Sequence, residues 1–118
     1  MGAMERTDYK RILSEKIIAM FPDPLMRDLV HGELATYGRE THEREGDRVR
    51  VAILKVAGAS LEQIREWLTI AKRDYRDVLA CAEYPGQLVA PTWRMPPDER
   101  LEIELQDVKQ YKEWINRK

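Results

Sequence analysis

Hydrophobic residues recur at steps of three and four along most of this chain, the spacing that places side chains on one face of an α-helix. The longest such pattern covers residues 61–83, where apolar positions repeat through three heptads. Trp67, Ile70 and Leu79 add to this apolar face and make it wider than the seam of a two-stranded coiled coil. The pattern therefore predicts one long amphipathic helix over 61–83, packed against more than one neighbour at the centre of the domain.

Capping and breaking signals divide the rest of the chain into further helices. Ser60 with Gln63 forms the Ser-x-x-Gln capping pattern before the long helix. Asp-Pro at 23–24 places an N-cap before a proline at the first helical position, and Thr7 or Asp8 can cap the first helix. Residues 1–3, Met-Gly-Ala, are typical of a cloning scar, so the domain is expected to span 4–118. These signals predict an all-α, single-domain bundle of about five helices, at residues 8–20, 24–37, 43–57, 61–83 and 98–117.

Two segments leave the choice between helix and strand open. Residues 48–57 are apolar on almost every side apart from Arg50 and Lys55, which is typical of a helix in the middle of a bundle. The alternative is a buried strand, because valine and isoleucine are β-branched. We favour a helix, since no second run of this kind is present to pair with it, and we expect it to be the most buried element. Residues 101–105, Leu-Glu-Ile-Glu-Leu, alternate like a strand within the last predicted helix.

Residues 87–97 separate the long helix from the last one. Their prolines disfavour helix, because proline lacks the backbone N–H that a helix interior needs. The segment still contains Leu88, Val89, Trp93 and Met95. We therefore expect it to lie over the surface of the bundle.

The charge balance argues against nucleic acid as a partner. The chain has 20 lysines and arginines against 21 aspartates and glutamates, without the basic excess that DNA- and RNA-binding proteins concentrate on one face. Its hydrophobic fraction of 43% favours a folded domain over disorder. Its apolar runs are far shorter than the roughly 20 residues that cross a bilayer, and no signal-peptide pattern is present. We expect a soluble cytoplasmic protein with no membrane partner.

The residues that could carry chemistry do not indicate an enzyme. Cys81 is the only cysteine, so the chain can form neither an intrachain disulfide nor a thiolate metal site. Its alanine neighbours do not provide the electropositive setting and nearby base of a catalytic thiol. His31 and His42 are eleven residues apart, which is not the spacing of a ligand pair on one helix. We expect no metal, no cofactor and no catalytic residue.

The densest charged run, residues 72–77, is the main candidate for an interaction surface. Lys72, Arg73, Arg76 and Asp77 could recognise an anion or a partner protein. Trp93 is a second candidate, because tryptophan is enriched at the energetic centres of interfaces. The alternative is a solvated helix face with i,i+4 pairs such as Arg73 with Asp77, each worth about 0.3–0.5 kcal/mol.

The junction between two predicted helices suggests a different function. Gly-x-Ser-Leu-x-x-Ile at 58–64 resembles the turn of the helix-turn-helix motif of bacterial regulators. Any tight corner between helices needs the same residue types. Glu62 and Glu66 would also lie in the first turns of the recognition helix, where they would meet DNA phosphates.

Residues 71–85, AKRDYRDVLACAEYP, together with VAILK at 51–55, resemble a group of small all-helical bacterial proteins of uncharacterised function. The resemblance covers the middle of the chain and implies a bacterial origin, but it brings no functional residue with it. Because no catalytic pattern is present, we expect a non-enzymatic protein-interaction module that binds a protein partner or a second copy of itself. The alternative is a DNA-binding regulator of the helix-turn-helix type.

Overall fold

Helical segments account for most of the computed structural model, which describes residues 7–90 and 92–117. No strand occurs in these ranges, which confirms the all-α prediction. The predicted cloning scar at 1–3 lies outside them. In chain order the elements are α1 (Tyr9–Met20), α2 (Pro24–Leu34), α3 (Gly46–Ala57), α4 (Leu61–Arg73), α5 (Tyr75–Glu83), α6 (Pro85–Val89), a 3-10 helix (Thr92–Arg94) and α7 (Pro97–Asn116).

Helix α3 lies at the centre of the fold. It packs against α1, α4 and α5, and Val49, Val51, Ala52, Ile53 and Leu54 are all fully buried within it. This confirms the prediction of a buried helix rather than a strand. An almost continuous apolar sequence suits a helix that has neighbours on several sides.

The prediction of a single helix over 61–83 is wrong, because the chain breaks at Asp74. That residue is extended, with φ −156° and ψ 102°, and its side chain caps α5 by accepting the backbone N–H of Arg76 at 3.1 Å. Aspartate favours such N-cap positions, since its carboxylate satisfies an N–H group that has no partner within the helix. The two shorter helices together bury the predicted apolar face, while the central position belongs to α3.

Several other boundaries also differ from the prediction. Helix α2 ends at Leu34, and Tyr37 is buried in the turn that follows it. Helix α3 begins at Gly46, after Glu45 in the left-handed region with φ 61°. Helix α7 is continuous through 101–105, so that segment is helical despite its alternating pattern.

Residues 87–97 differ most from the prediction. They begin within α6, which packs against α5 and α7, and they continue into the 3-10 helix. Of the four apolar side chains in this segment, Leu88, Val89 and Trp93 are exposed by 54%, 87% and 73% and do not cover the bundle, whereas Met95 is half-buried. Polar contacts hold α6 instead: the buried carboxylate of Asp107 accepts the backbone N–H groups of Gly86 and Gln87 at 2.8 and 3.0 Å.

Two arginines of α3 join it to its neighbours. The guanidinium of Arg48 donates to both carboxylate oxygens of Glu83 at 2.7 and 2.6 Å, which links α3 to the end of α5. The guanidinium of Arg50 donates to the carbonyl oxygens of Leu34 and Tyr37 at 3.0 and 2.5 Å. Since these carbonyls lie at and just beyond the end of α2, Arg50 fixes where the following loop starts.

Candidate functional site: an arginine-lined cleft at the α4–α5 break

The break between α4 and α5 opens a cleft of about 490 Å³ toward solvent. One wall is the loop that connects α2 to α3, and the other is the break itself with its flanking residues. We call this the arginine cleft. Its lining residues are Thr41, His42, Arg44, Arg73, Asp74, Tyr75 and Arg76.

The loop wall is fixed by internal hydrogen bonds. The carboxylate of Glu43 accepts the backbone N–H groups of Gly38 and Arg39 at 2.8 and 3.0 Å. Desolvation acts to raise the pKa of Glu43, but these backbone donors outweigh it and the pKa is lowered. The fully buried Tyr37 donates its hydroxyl to the carbonyl oxygen of Arg44 at 2.7 Å. The loop is therefore held in one shape before any ligand arrives.

A histidine joins the two walls. The Nε2 atom of His42 lies 2.9 Å from the carbonyl oxygen of Lys72, in the last turn of α4. Because a carbonyl oxygen only accepts, this nitrogen must carry the proton and donate. The contact gives a partner to one of the carbonyls that every helix end leaves unpaired, and it sets the width of the cleft.

Positive charge dominates the lining. The guanidinium of Arg76 donates to both carboxylate oxygens of Asp74 at 2.9 Å each. These bonds lower the pKa of the Asp74 carboxyl below its usual value. Arg44 and Arg73 are exposed, and among the described residues neither has a carboxylate within 4.0 Å. Two arginines from different elements thus line the cleft with no carboxylate partner in the described part of the chain.

The structure brings together only part of the predicted surface. Arg73 and Arg76 line the cleft, whereas Lys72 contributes its carbonyl and Asp77 is exposed outside the lining. The predicted ion pair of Arg73 with Asp77 is not formed. The helix break separates these residues, and the pair in this region is Arg76 with Asp74.

Trp93 does not belong to the cleft. It lies on the 3-10 helix after α6, where its exposed ring stacks on the guanidinium of Arg94 at 4.2 Å. The other two tryptophans, Trp67 and Trp114, are partly buried against the core. The two halves of the predicted interaction surface are therefore separate features.

Sequence reasoning missed the loop wall. Thr41, His42 and Arg44 stand in a mostly charged stretch that shows no helical periodicity. The one local signal was Asp74 itself, since an aspartate between charged residues can end one helix and cap the next.

The corner between α3 and α4 has the predicted tight geometry. Gly58 has φ 70°, and Ser60 accepts the backbone N–H of Gln63 at 3.2 Å, as the capping pattern indicated. Glu62 and Glu66 are exposed on the first two turns of α4. The outward face of this would-be recognition helix therefore begins with carboxylates.

The described ranges offer little support for a metal site, a reactive cysteine or a membrane span. They contain no group of three or more His, Cys, Asp or Glu side chains placed to hold a metal ion. Cys81 is half-buried on α5. None of the helices described is both long and apolar enough to cross a membrane.

The arginine cleft is thus the best-defined candidate site: hydrogen bonds within the loop fix one wall, His42 joins it to the other, and each wall has an arginine without a carboxylate partner among the described residues. Comparisons with protein-family models, with curated proteins and with solved structures find nothing that matches this chain.

Proposed function

We propose that this protein is a non-enzymatic protein-interaction module that binds an acidic segment of a partner protein in the arginine cleft. The observation that carries the proposal is the pair of guanidinium groups on Arg44 and Arg73. The two residues come from different elements, both line one cleft, and neither has a carboxylate partner within 4.0 Å among the described residues.

The chemistry of the lining favours carboxylate ligands. Guanidinium presents its N–H donors in a planar fork that matches the two oxygens of a carboxylate. Thr41 and Tyr75 add hydroxyl groups that can donate or accept beside the arginines. A volume of about 490 Å³ has room for a short stretch of chain and not for a whole domain. An acidic peptide segment fits this combination of size and charge.

The preformed loop wall also supports binding. Ordering a loop on association costs free energy. Here the contacts of Glu43, Tyr37 and His42 already order the loop in the folded protein, so binding does not have to. The arginines themselves are exposed, so each ion pair with a partner is worth at most about 1 kcal/mol and is screened by salt. We therefore expect moderate affinity with a clear dependence on ionic strength.

The second candidate function is the DNA-binding regulator. The capped corner at Gly58 and Ser60 favours it, because helix-turn-helix motifs need such a corner. The exposed Glu62 and Glu66 oppose it, since they would lie against phosphates. The overall charge of −1 gives no compensating attraction. An acidic protein segment is therefore the better match.

Peptide binding by fluorescence anisotropy tests the proposal. The probes are a labelled peptide of alternating glutamate and serine and the same peptide with glutamine in place of glutamate. The variants are Arg44→Gln with Arg73→Gln, and a matched control, Lys10→Gln with Arg100→Gln, which removes the same charge from exposed positions outside the cleft. A duplex DNA of mixed sequence is titrated in parallel.

We expect the acidic peptide to bind the natural protein and the control alike, and the cleft variant up to about thirtyfold more weakly, which is the limit for two ion pairs of about 1 kcal/mol each. Raising the salt from about 50 mM to about 300 mM should weaken binding further. Equal binding of the glutamate and glutamine peptides, or equal losses in the two variants, would refute the proposal. Salt-sensitive DNA binding tighter than peptide binding would favour the regulator instead.

A further inference from the structure

Helix α7 has a second apolar face that the rest of the molecule leaves uncovered. Leu101, Leu105 and Val108 follow one another at steps of four and three, so they form one stripe along the helix. Their side chains are exposed by 52%, 59% and 49%. We call these residues the α7 stripe. Tyr111 and Asp107, which are buried, lie on a different side of the helix.

We propose that the α7 stripe is the contact surface of an antiparallel homodimer, in which α7 of one copy lies against α7 of a second copy. The two-fold axis passes near Leu105. The proposal concerns a surface distinct from the arginine cleft and does not depend on what the cleft binds.

Charge complementarity identifies the second copy as the occupant. Exposed acids flank the N-terminal part of the stripe, at Asp98 and Glu102, and exposed bases flank its C-terminal part, at Lys109 and Lys112. Asp98 and Lys112 each stand seven residues from Leu105, on opposite sides. A two-fold axis at Leu105 therefore places each Asp98 opposite Lys112 of the second copy.

The remaining positions agree with the same register. Glu102 and Lys109 stand three and four residues from Leu105, so they also meet across the axis. Leu101 and Val108 stand four and three residues away and pair in the same manner. A parallel arrangement would instead set acids against acids and bases against bases, which is unfavourable. An isologous, antiparallel contact buries the apolar stripe and at the same time places opposite charges beside each other along its flank.

Further apolar residues are exposed on the helix that adjoins α7. Leu88 and Val89 are exposed on α6, which packs against α7. An exposed apolar area of several adjacent residues is more than the scattered single residues usual on a monomer. A contact made by so few apolar residues lies at the small end of specific interfaces. We therefore expect a dimer that dissociates at about micromolar concentration.

Sedimentation of the full chain over a concentration series tests the proposal. We expect the natural protein to shift from monomer to dimer as its concentration rises from about 1 µM to about 1 mM. Leu105→Glu, which places two like charges at the axis, should remain monomeric. Leu25→Glu is the matched control, because Leu25 is an exposed leucine on α2 (74%) outside the stripe. Far-ultraviolet circular dichroism checks that each variant keeps its helix content.

A charge exchange tests the register separately. Lys112→Asp alone should weaken the dimer, and adding Asp98→Lys should restore it, because the opposed pair is then re-formed with the signs reversed. The variant Arg44→Gln with Arg73→Gln should dimerise like the natural protein, which separates this proposal from that of the cleft. A natural protein that stays monomeric over the whole series, or a dimer that Leu105→Glu leaves intact, would overturn the proposal. Failure of the charge exchange to restore the dimer would overturn the antiparallel register.

Discussion

The helices α1–α5 and the pair α6–α7 are built on different physical principles. Helices α1–α5, with the turn residues between them, provide every buried hydrophobic side chain of the described core except Tyr111. Helix α7 is the longest, with 20 residues, yet it buries only Asp107 and Tyr111, and α6 buries none. The first region, which we call the body, is held by apolar burial. The second combines polar contacts with a few apolar side chains of α7 packed against the core, and it leaves apolar surface exposed.

The attachment of α7 to the body shows what these polar contacts do. Lys16 of α1 is buried and donates to the carbonyl oxygens of Trp114 and Arg117, the latter at 2.6 Å. Its ammonium group also lies 4.3 Å from the centre of the Trp114 ring. Burial lowers the pKa of Lys16. The C-terminal end of α7 is thus fixed to α1, while the exposed α7 stripe occupies the middle of the helix.

The largest effect is expected from truncating a leucine in the body. Leu54→Ala in α3 removes a fully buried side chain from the centre of the core, and such changes cost about 2–5 kcal/mol. The matched change in the second region, Leu105→Ala, removes an exposed side chain and should alter the free energy of unfolding by less than about 0.5 kcal/mol. Urea denaturation at submicromolar concentration, where dimerisation is negligible, measures both. Similar losses at the two positions would remove the distinction between the regions.

An intermediate effect is expected from the carboxylate that holds α6. Asp107→Ala leaves the N–H groups of Gly86 and Gln87 without their acceptor, and unsatisfied part-buried donors cost about 1–3 kcal/mol. Gly86→Ala should act in the same direction, because its Cβ would lie 2.7 Å from the Asp107 carboxylate. Hydrogen exchange should show faster exchange in α6 and unchanged exchange in α3.

Glu113→Gln provides the control for that experiment, since it changes an exposed carboxylate on the same helix. Its exchange pattern should match that of the natural protein. If Asp107→Ala instead accelerated exchange in α3 as much as in α6, the two regions would unfold as one cooperative unit and the polar attachment would be part of the body.

Local signals predicted the helices of the body well. Asp8 and Asp23 accept backbone N–H groups at 3.1 and 3.0 Å as their capping positions indicated, and the burial of α3 followed from its apolar sequence. The break at Asp74 escaped prediction for a physical reason. Apolar spacing records which side of a segment is buried, and α4 and α5 together bury the predicted face, so the spacing continues across the break.

The sequence predicted only one of the two walls of the arginine cleft. Arg73 and Arg76 were candidates because they are dense in sequence, but Arg44 is brought to them by a contact between His42 and Lys72 across thirty residues. No local pattern encodes a contact of that length. The segment 87–97 shows the opposite failure: its apolar content predicted that it covers the bundle surface, whereas Leu88, Val89 and Trp93 within it are exposed.

The smallest effects are expected from two buried tyrosines, one in each region. Tyr37 donates its hydroxyl to the Arg44 carbonyl, whereas the buried hydroxyl of Tyr111, which lies near that of Tyr9, forms no hydrogen bond of good geometry among the described residues. Tyr37→Phe should therefore cost about 1 kcal/mol, since it removes a satisfied hydrogen bond. Tyr111→Phe should be neutral or stabilising, because it removes a buried polar atom that gains nothing in return. A loss in Tyr111→Phe equal to that in Tyr37→Phe would show that its hydroxyl is satisfied after all.

Unfolding at alkaline pH tests the burial of the same two tyrosines by a second measurement. Burial raises the pKa of Tyr37 to about 12, against about 10 in an unfolded chain. Its contribution to stability is therefore complete below pH 10 and is lost as the pH rises toward 12, because the unfolded state releases the proton first. Tyr37→Phe should flatten this decline in urea denaturation between about pH 9 and about pH 12. Burial also raises the pKa of Tyr111, so Tyr111→Phe should flatten the decline too while leaving stability at neutral pH unchanged or higher. A decline as steep in both variants as in the natural protein would mean that neither tyrosine is protected from ionisation by its burial.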